Sequence, residues 1–365
     1  MDVRKRSISL DALRAFAILG VVTLHFVGGV NTLDLNPGNR IAVSFVLAIT
    51  YPSVNLFAML SGYLKIDRPH HNASIIKIIL QTAFWSFMIT IICFTLFKNR
   101  TIGLIVKNAF PFIGGRLWYI TCYVFLFLCV PFLNLLADQL SQLGYKRLLI
   151  IIGVLMSLLS TIFFSDLFRV VNNGYSAGWL IYMYLLGGYY KKYGFWDKTH
   201  RRKVLLILCI SVCAIVASKY ILEVLLDIAG ATSSKSWYLY YYNSPLTLLN
   251  SICIFYLFTI GHWRENGVGK IVTWLSKVSL GIYIIHAHPY VLDQILIGEN
   301  LKWVSNENPI ITIAFSIVSI IGICIGLGLL EEGRMKMFVA CGIDRWIDHM
   351  GQKLDKVLVL ELTEA

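Results

Sequence analysis

Apolar residues in this sequence come in runs of about twenty, one after another, along most of the chain. Segments of spanning length fall near 8–30, 41–64, 75–97, 117–136, 148–164, 177–190, 203–222, 244–261, 271–296 and 309–330. Each is long enough, or nearly so, to cross a hydrocarbon core about 30 Å thick as a helix. Backbone polar groups in hydrocarbon must be paired within their own segment, so runs of this kind are helices. The chain therefore reads as an all-α, polytopic transmembrane bundle of about ten spans. Composition agrees: 57% of its 365 residues are hydrophobic and 14% charged, too few polar groups to cover a soluble domain.

Orientation follows from the basic residues in the loops. Ten spans place both termini on one side. With the N-terminus cytoplasmic, cytoplasmic segments hold twenty Lys and Arg against eight on the other side. That asymmetry predicts cytoplasmic N- and C-termini. It also accounts for the net charge of +12 without a nucleic-acid partner. The stretch 98–116 departs from the rule, with four basic residues on the outer side, and is a candidate functional region.

The sequence predicts one transmembrane domain over 1–330 and a short cytoplasmic tail over 331–365. The tail carries an amphipathic pattern around Asp344–Leu354, and the largest internal polar piece is the 223–243 loop. Met1–Arg6 is basic and precedes an apolar stretch, as in a signal peptide. Asp11 and Arg14 interrupt that stretch, which is read as a retained first span. Seven of the eight cysteines lie in apolar runs without metal-ligand spacing and read as small hydrophobes. No repeat of 20–50 residues is visible, so an inverted-repeat transporter is not indicated.

Ionisable residues at membrane depth are costly, and each is a functional candidate. The first span carries Arg14 and, eleven residues later, His25. Eleven steps of 100° end 20° past three full turns, so the two side chains share a helical face roughly 16 Å apart along the axis. Arg14 is placed near the inner surface and His25 in the outer half. Each also has a purely structural explanation: Arg14 as a snorkelling anchor paired with Asp11, His25 as an interhelical hydrogen-bond partner. The segment Ser279–Tyr290 brings a second histidine, His286, to about the depth of His25, with Pro289 kinking the helix beside it. A packed histidine next to a distorted helix would look the same.

Lys65 and Arg68 follow the second span at the level of Arg14 and have the charge to hold phosphates, although ordinary cytoplasmic loop residues would read identically. Arg116, Trp118 and Tyr119 open the fourth span on the outer side. A cation with two aromatic rings suits an acidic or sugar acceptor, and equally an interfacial aromatic belt. Trp237–Tyr242 admits the same two readings. The predicted spans hold no carboxylate at their centres, which speaks against a proton-coupled transporter. Glycine-rich phosphate loops, nucleophile elbows and zinc motifs are absent, and no metal is expected.

Together these residues resemble the acyltransferase-3 family of membrane proteins. Asp11-Ala-Leu-Arg14 followed by His25 is similar to its first-helix signature. Phe57–Leu64, ending Ser-Gly-Tyr-Leu, is similar to its second-span ending, and Leu117-Trp-Tyr119 and Ser279–His286 fit further motifs in the same order. The chain looks most like compact bacterial members that O-acetylate building blocks of surface polysaccharides. The resemblance implies transfer of an acetyl group from cytoplasmic acetyl-CoA to a sugar hydroxyl of an envelope glycan or its lipid-linked precursor. It implies a multi-pass protein of the bacterial inner (cytoplasmic) membrane. By position it makes His25 the catalytic base and Arg14 a donor-side residue. Where many members carry Arg-x-x-Arg, this chain has Lys65-Ile-Asp-Arg68; lysine keeps the charge but loses the bidentate fork. The hydrolase-like extension fused to some members has no counterpart in this sequence, so acceptor delivery is expected to rest on the membrane part or another protein.

The expected mechanism has Arg14, Lys65 and Arg68 meeting the CoA phosphates, His25 taking the proton from the sugar hydroxyl, and His286 orienting His25 or polarising the thioester. Arg116, Trp118 and Tyr119 are expected on the acceptor. An acetyl-histidine relay is a variant. A transporter or flippase of lipid-linked sugar, needing no CoA, is the rival from another class.

Overall fold

The computed structural model describes residues 6–28, 35–96, 115, 117–165, 170–197, 200–231, 233–261, 263–292 and 308–357. Among these every regular element is helical. The long helices are α1 (Ile8–Gly28), α2 (Pro37–Thr50), α3 (Pro52–Lys65), α4 (Ala73–Leu96), α5 (Trp118–Gln139), α6 (Gln142–Gly153), α7 (Ala177–Tyr193), α8 (Arg201–Ile228), α9 (Pro245–Thr259), α10 (Gly267–His286), α11 (Pro309–Ala340) and α12 (Ile343–Val357).

Their starts are written locally. Asn36, Ser141, Ser176, Ser244, Asn266 and Asn308 each accept a hydrogen bond from a backbone N–H of the first turn, and proline follows directly in α2, α9 and α11. Pro52, which has no N–H to donate, divides α2 from α3. A six-residue π-helix, Val154–Leu159, continues α6.

Eight helical stretches among the described residues are long and apolar enough to cross a membrane. They account for eight of the ten expected segments, with α2 and α3 counted as one. The sixth and eighth segments form α7 and α9, helices of 17 and 15 residues set deep in the bundle. Outward faces are apolar: Phe87, Phe125, Phe132, Ile151, Leu206 and Val318 are all exposed. A continuous apolar exterior fits lipid rather than water.

Helix α1 lies at the centre, packed on α2, α3, α9, α10 and α11. The α3–α7 crossing is close because Gly62 lacks a side chain; a Cβ there would collide with the carbonyl oxygen of Tyr184. Asn55 sits at the heart of the bundle, donating to Tyr242 O (2.9 Å) and Ser251 Oγ (3.0 Å) and accepting from Trp179 Nε1 (2.9 Å).

Two helices run further than the apolar pattern suggests, and both carry acids that the sequence places in a loop or tail. In α8, Glu223 joins the buried Lys219 (2.7 Å) to Arg40 of α2 (2.5 Å). In α11, Glu331 is 1% exposed. It accepts from Gln81 (3.0 Å), Trp85 (2.7 Å) and the Arg334 guanidinium (2.6 Å), joining α4 to α11. Gly281 of α10 leaves room for this carboxylate, since a Cβ at that position would overlap it. The amphipathic tail segment forms α12, which turns back onto the start of α4.

Candidate active site

The Arg14–His25 face of α1 points at α10. There His25 Nδ1 stands 2.9 Å from His286 Nε2. His286 is fully buried, and its Nδ1 lies 2.6 Å from the carbonyl oxygen of Ile282 one turn earlier. A carbonyl oxygen can only accept, so Nδ1 of His286 carries the hydrogen. In neutral His286 this leaves Nε2 as an acceptor, and the proton between the rings belongs to His25 Nδ1. The chain of donors thus assigns His25 the tautomer whose Nε2 holds a lone pair. Helix α10 ends at His286; His288 caps a short turn, Pro289–Val291, so the expected proline break falls immediately after the histidine.

At the opposite end of the shared face, Arg14 is half-buried. Asp11 does not pair with it directly. The Asp11 carboxylate takes two hydrogen bonds from Arg6 (2.5 and 2.9 Å) and one from Ser276 (2.7 Å). Among the described residues Arg14 reaches only the Ser276 hydroxyl, at 3.4 Å. The snorkelling pair that the sequence allows is therefore replaced by a serine bridge, and the guanidinium faces two cavities.

One cavity, about 240 Å³, runs between α1, α3, α5 and α10. Arg14, Ser61, Tyr123, Tyr119 and Tyr283 stand along it, with apolar Val54, Phe57 and Ile78 between them. Its wall includes Val21 and Tyr283, each one turn short of a site histidine, and the Tyr283 ring stands edge-on to His286 at 5.8 Å. The other cavity, about 500 Å³, holds Arg6, Asp11, Asp67, Arg68 and Lys191. A third, about 250 Å³, is lined by Lys65, Lys77, Lys277 and Arg334 and shares Ile78, Tyr123, Lys277 and Leu280 with the first. Glu331 also lines it, paired with Arg334, so Lys65, Lys77 and Lys277 make it a net cationic mouth beside the Arg14 cavity.

The expected donor residues are thus divided. Arg14 joins two cavities, Lys65 belongs to the cationic mouth with its ammonium 4.2 Å from the Phe127 ring centre, and Arg68 lies in the neighbouring 500 Å³ cavity. Lys77 and Lys277 were not among the candidates, although each interrupts an apolar run, which is the signal that reveals them. The acceptor candidates separate as well. Arg116, like all of 98–116 except Gly115, lies outside the described residues. Trp118 stacks on Tyr242 (5.9 Å) and meets Tyr175 (4.8 Å), bringing the two outer aromatic motifs together. Tyr119 turns inward and lines the Arg14 cavity instead.

Residues 7–329 match the family model described as an acyltransferase domain, acyltransferase-3. The chain belongs to the acyltransferase-3 family. Its multiple apolar helices make it a multi-pass membrane protein of that family. Two curated relatives, both titled "Probable poly-beta-1,6-N-acetyl-D-glucosamine export protein" and both from Staphylococcus epidermidis, are 27% identical over 175 residues. That alignment spans 46% of this chain and 43% of each relative, less than half the length of either. No solved structure matches. The family match covers α1, α3, α5 and α10, the helices that hold the histidine pair and the cavity.

Proposed function

We propose that this acyltransferase moves an acetyl group from acetyl-CoA to a sugar hydroxyl of an envelope polysaccharide or its lipid-linked precursor. In this reading the reaction runs in the bacterial cytoplasmic membrane with the Arg14 end on the cytoplasmic side. The observation that carries the reading is the His25–His286 pair, whose hydrogen bonds leave a lone pair on His25 Nε2, with the wall of the Arg14 cavity one helical turn away at Val21 and Tyr283.

The residues fit the donor by chemistry. CoA carries several phosphate charges and a long, uncharged arm. Lys65, Lys77 and Lys277 supply the charge at the mouth, and the Val54, Phe57 and Ile78 walls suit the arm. In the transfer, His25 Nε2 takes the proton of the acceptor hydroxyl while its oxygen bonds to the thioester carbonyl carbon. The carbon–sulfur bond breaks and the thiolate leaves with the electron pair. His286 stabilises the imidazolium formed on His25 by accepting its Nδ1–H. Neutral imidazole suits this role near pH 7. The acceptor approaches from the His25 end, where the half-buried Trp118 and Tyr175, packed on the buried Tyr242, offer ring surface to a sugar.

The relatives' title names export of an N-acetylglucosamine polymer, which favours a second reading in which this chain moves a glycan without acylating it. Mass spectrometry of envelope glycans from cells carrying wild type or His25→Ala separates the two. Acyl transfer predicts acetyl groups lost in the variant while the unmodified glycan still reaches the surface. Export alone predicts no CoA requirement and no acetyl difference, and that result would end the proposal.

A further inference from the structure

The Tyr119 phenol is the one hydroxyl on the Arg14 cavity that stands without a partner among the described residues. Its oxygen is buried and meets no hydrogen-bonding atom. The other hydroxyls there are committed. Ser61 bonds Phe57 O (2.9 Å) and Tyr123 Oη (3.0 Å), Ser276 donates to Asp11, and Ser279 donates to Ser276 O (3.0 Å). The Tyr283 phenol meets the backbone of Tyr119. Buried polar groups are nearly always paired, and an exception on a cavity wall asks what fills the cavity. The ring is packed among three aromatic neighbours. It is held at 5.8 Å against Tyr123, 5.7 Å from Tyr283 and 6.3 Å from Phe57.

We infer that Tyr119 donates a hydrogen bond to a carbonyl oxygen of the acyl donor lying in this cavity. The inference rests on the acyl-CoA reading above. A phenol surrounded by apolar and aromatic groups is a poor site for a phosphate and a good one for a neutral carbonyl, of which the donor arm has two amides and one thioester. Tyr119 is therefore a donor-binding residue rather than part of the acceptor surface, and Trp118, the other described residue of that motif, faces the outer aromatic cluster.

The test uses the full chain in lipid nanodiscs, with calorimetric binding of acetyl-CoA and of free CoA to wild type and Tyr119→Phe. Wild-type binding with about tenfold weaker binding in Tyr119→Phe is the expected result. A loss for both ligands assigns an amide carbonyl; a loss for acetyl-CoA alone assigns the thioester. Without ligand, Tyr119→Phe should melt no lower than wild type, since the phenol it removes has no partner to lose. Binding by Tyr119→Phe within twofold of wild type would overturn the inference and leave the acyl-CoA reading standing. Failure of wild type to bind either compound would overturn both.

Discussion

His25 and His286, 261 residues apart in sequence, form a hydrogen bond of 2.9 Å between Nδ1 and Nε2, and the second imidazole is itself fixed by Ile282 O. This relay gives the two histidines unequal roles. His25→Ala should lower acyl transfer by about 100- to 10,000-fold, the range for loss of a general base. His286→Phe removes only the acceptor that holds the tautomer and should cost about tenfold. His286→Gln, which can still accept through its side-chain oxygen, should recover part of that loss. Initial rates on one acceptor across the three variants check the order. Equal losses in His25→Ala and His286→Gln would remove the distinction.

The cationic mouth makes a separate prediction about donor affinity. Lys77 and Lys277 line it together with Lys65, whereas Arg68 lies in the adjacent cavity. Lys77→Gln and Lys277→Gln should each raise the donor KM by about tenfold, as expected for a lost charge-assisted contact, with little change in kcat. The effect should shrink as salt rises. Arg68→Gln should change KM by less. Steady-state kinetics at two ionic strengths measures all three.

Much of this arrangement is legible in the sequence, for identifiable reasons. Helix periodicity alone puts Arg14 and His25 on one face, and the family motifs supply His286. The contact between the two histidines is tertiary and no local pattern encodes it. The apolar window also stops at the first acid, so Glu331 and Arg334 read as the start of a tail. They are buried because α11 continues to Ala340 and the pair is satisfied within the protein. Trp118 and Tyr119 are chemically alike to any scale of interfacial preference. Only the helical rotation of about 100° between neighbours sends one ring outward to Tyr242 and the other into the cavity.

The Glu331–Arg334 pair carries its own stability prediction. Both side chains are almost fully buried, at 2% and 3% exposure. Removing one partner of such a pair leaves an uncompensated charge in a low dielectric and costs about 3–5 kcal/mol. Glu331→Ala should therefore lower the melting temperature in detergent sharply. The double variant Glu331→Gln with Arg334→Met should lose less than Glu331→Ala, because no charge is stranded. A double variant as unstable as the single one would mean that the stranded charge of Arg334 is not what destabilises Glu331→Ala.

Docking of α12 should depend on pH through Asp355. Its Oδ1 accepts from the backbone N–H and the side-chain amide of Asn72, both at 2.8 Å, and His71 Nδ1 lies 3.5 Å from Oδ2. Burial on its own would raise the Asp355 pKa, but the Asn72 bonds and the neighbouring His71 outweigh it and hold the carboxyl below its usual range. A carboxyl depressed in the folded state contributes stability that is fully present above the ordinary carboxylate pKa and is lost as pH falls through the folded value. The helix should thus stay docked at neutral pH and loosen only below about pH 4. Gly351 against Ala73 and the buried Ile347 should hold part of the contact even then. Hydrogen-exchange protection over 343–357, corrected for the intrinsic rate at each pH, should fall in that window in wild type. Asp355→Asn should show lower protection at pH 7 and lose the acid-dependent step. A step that persists in Asp355→Asn would assign it to another group.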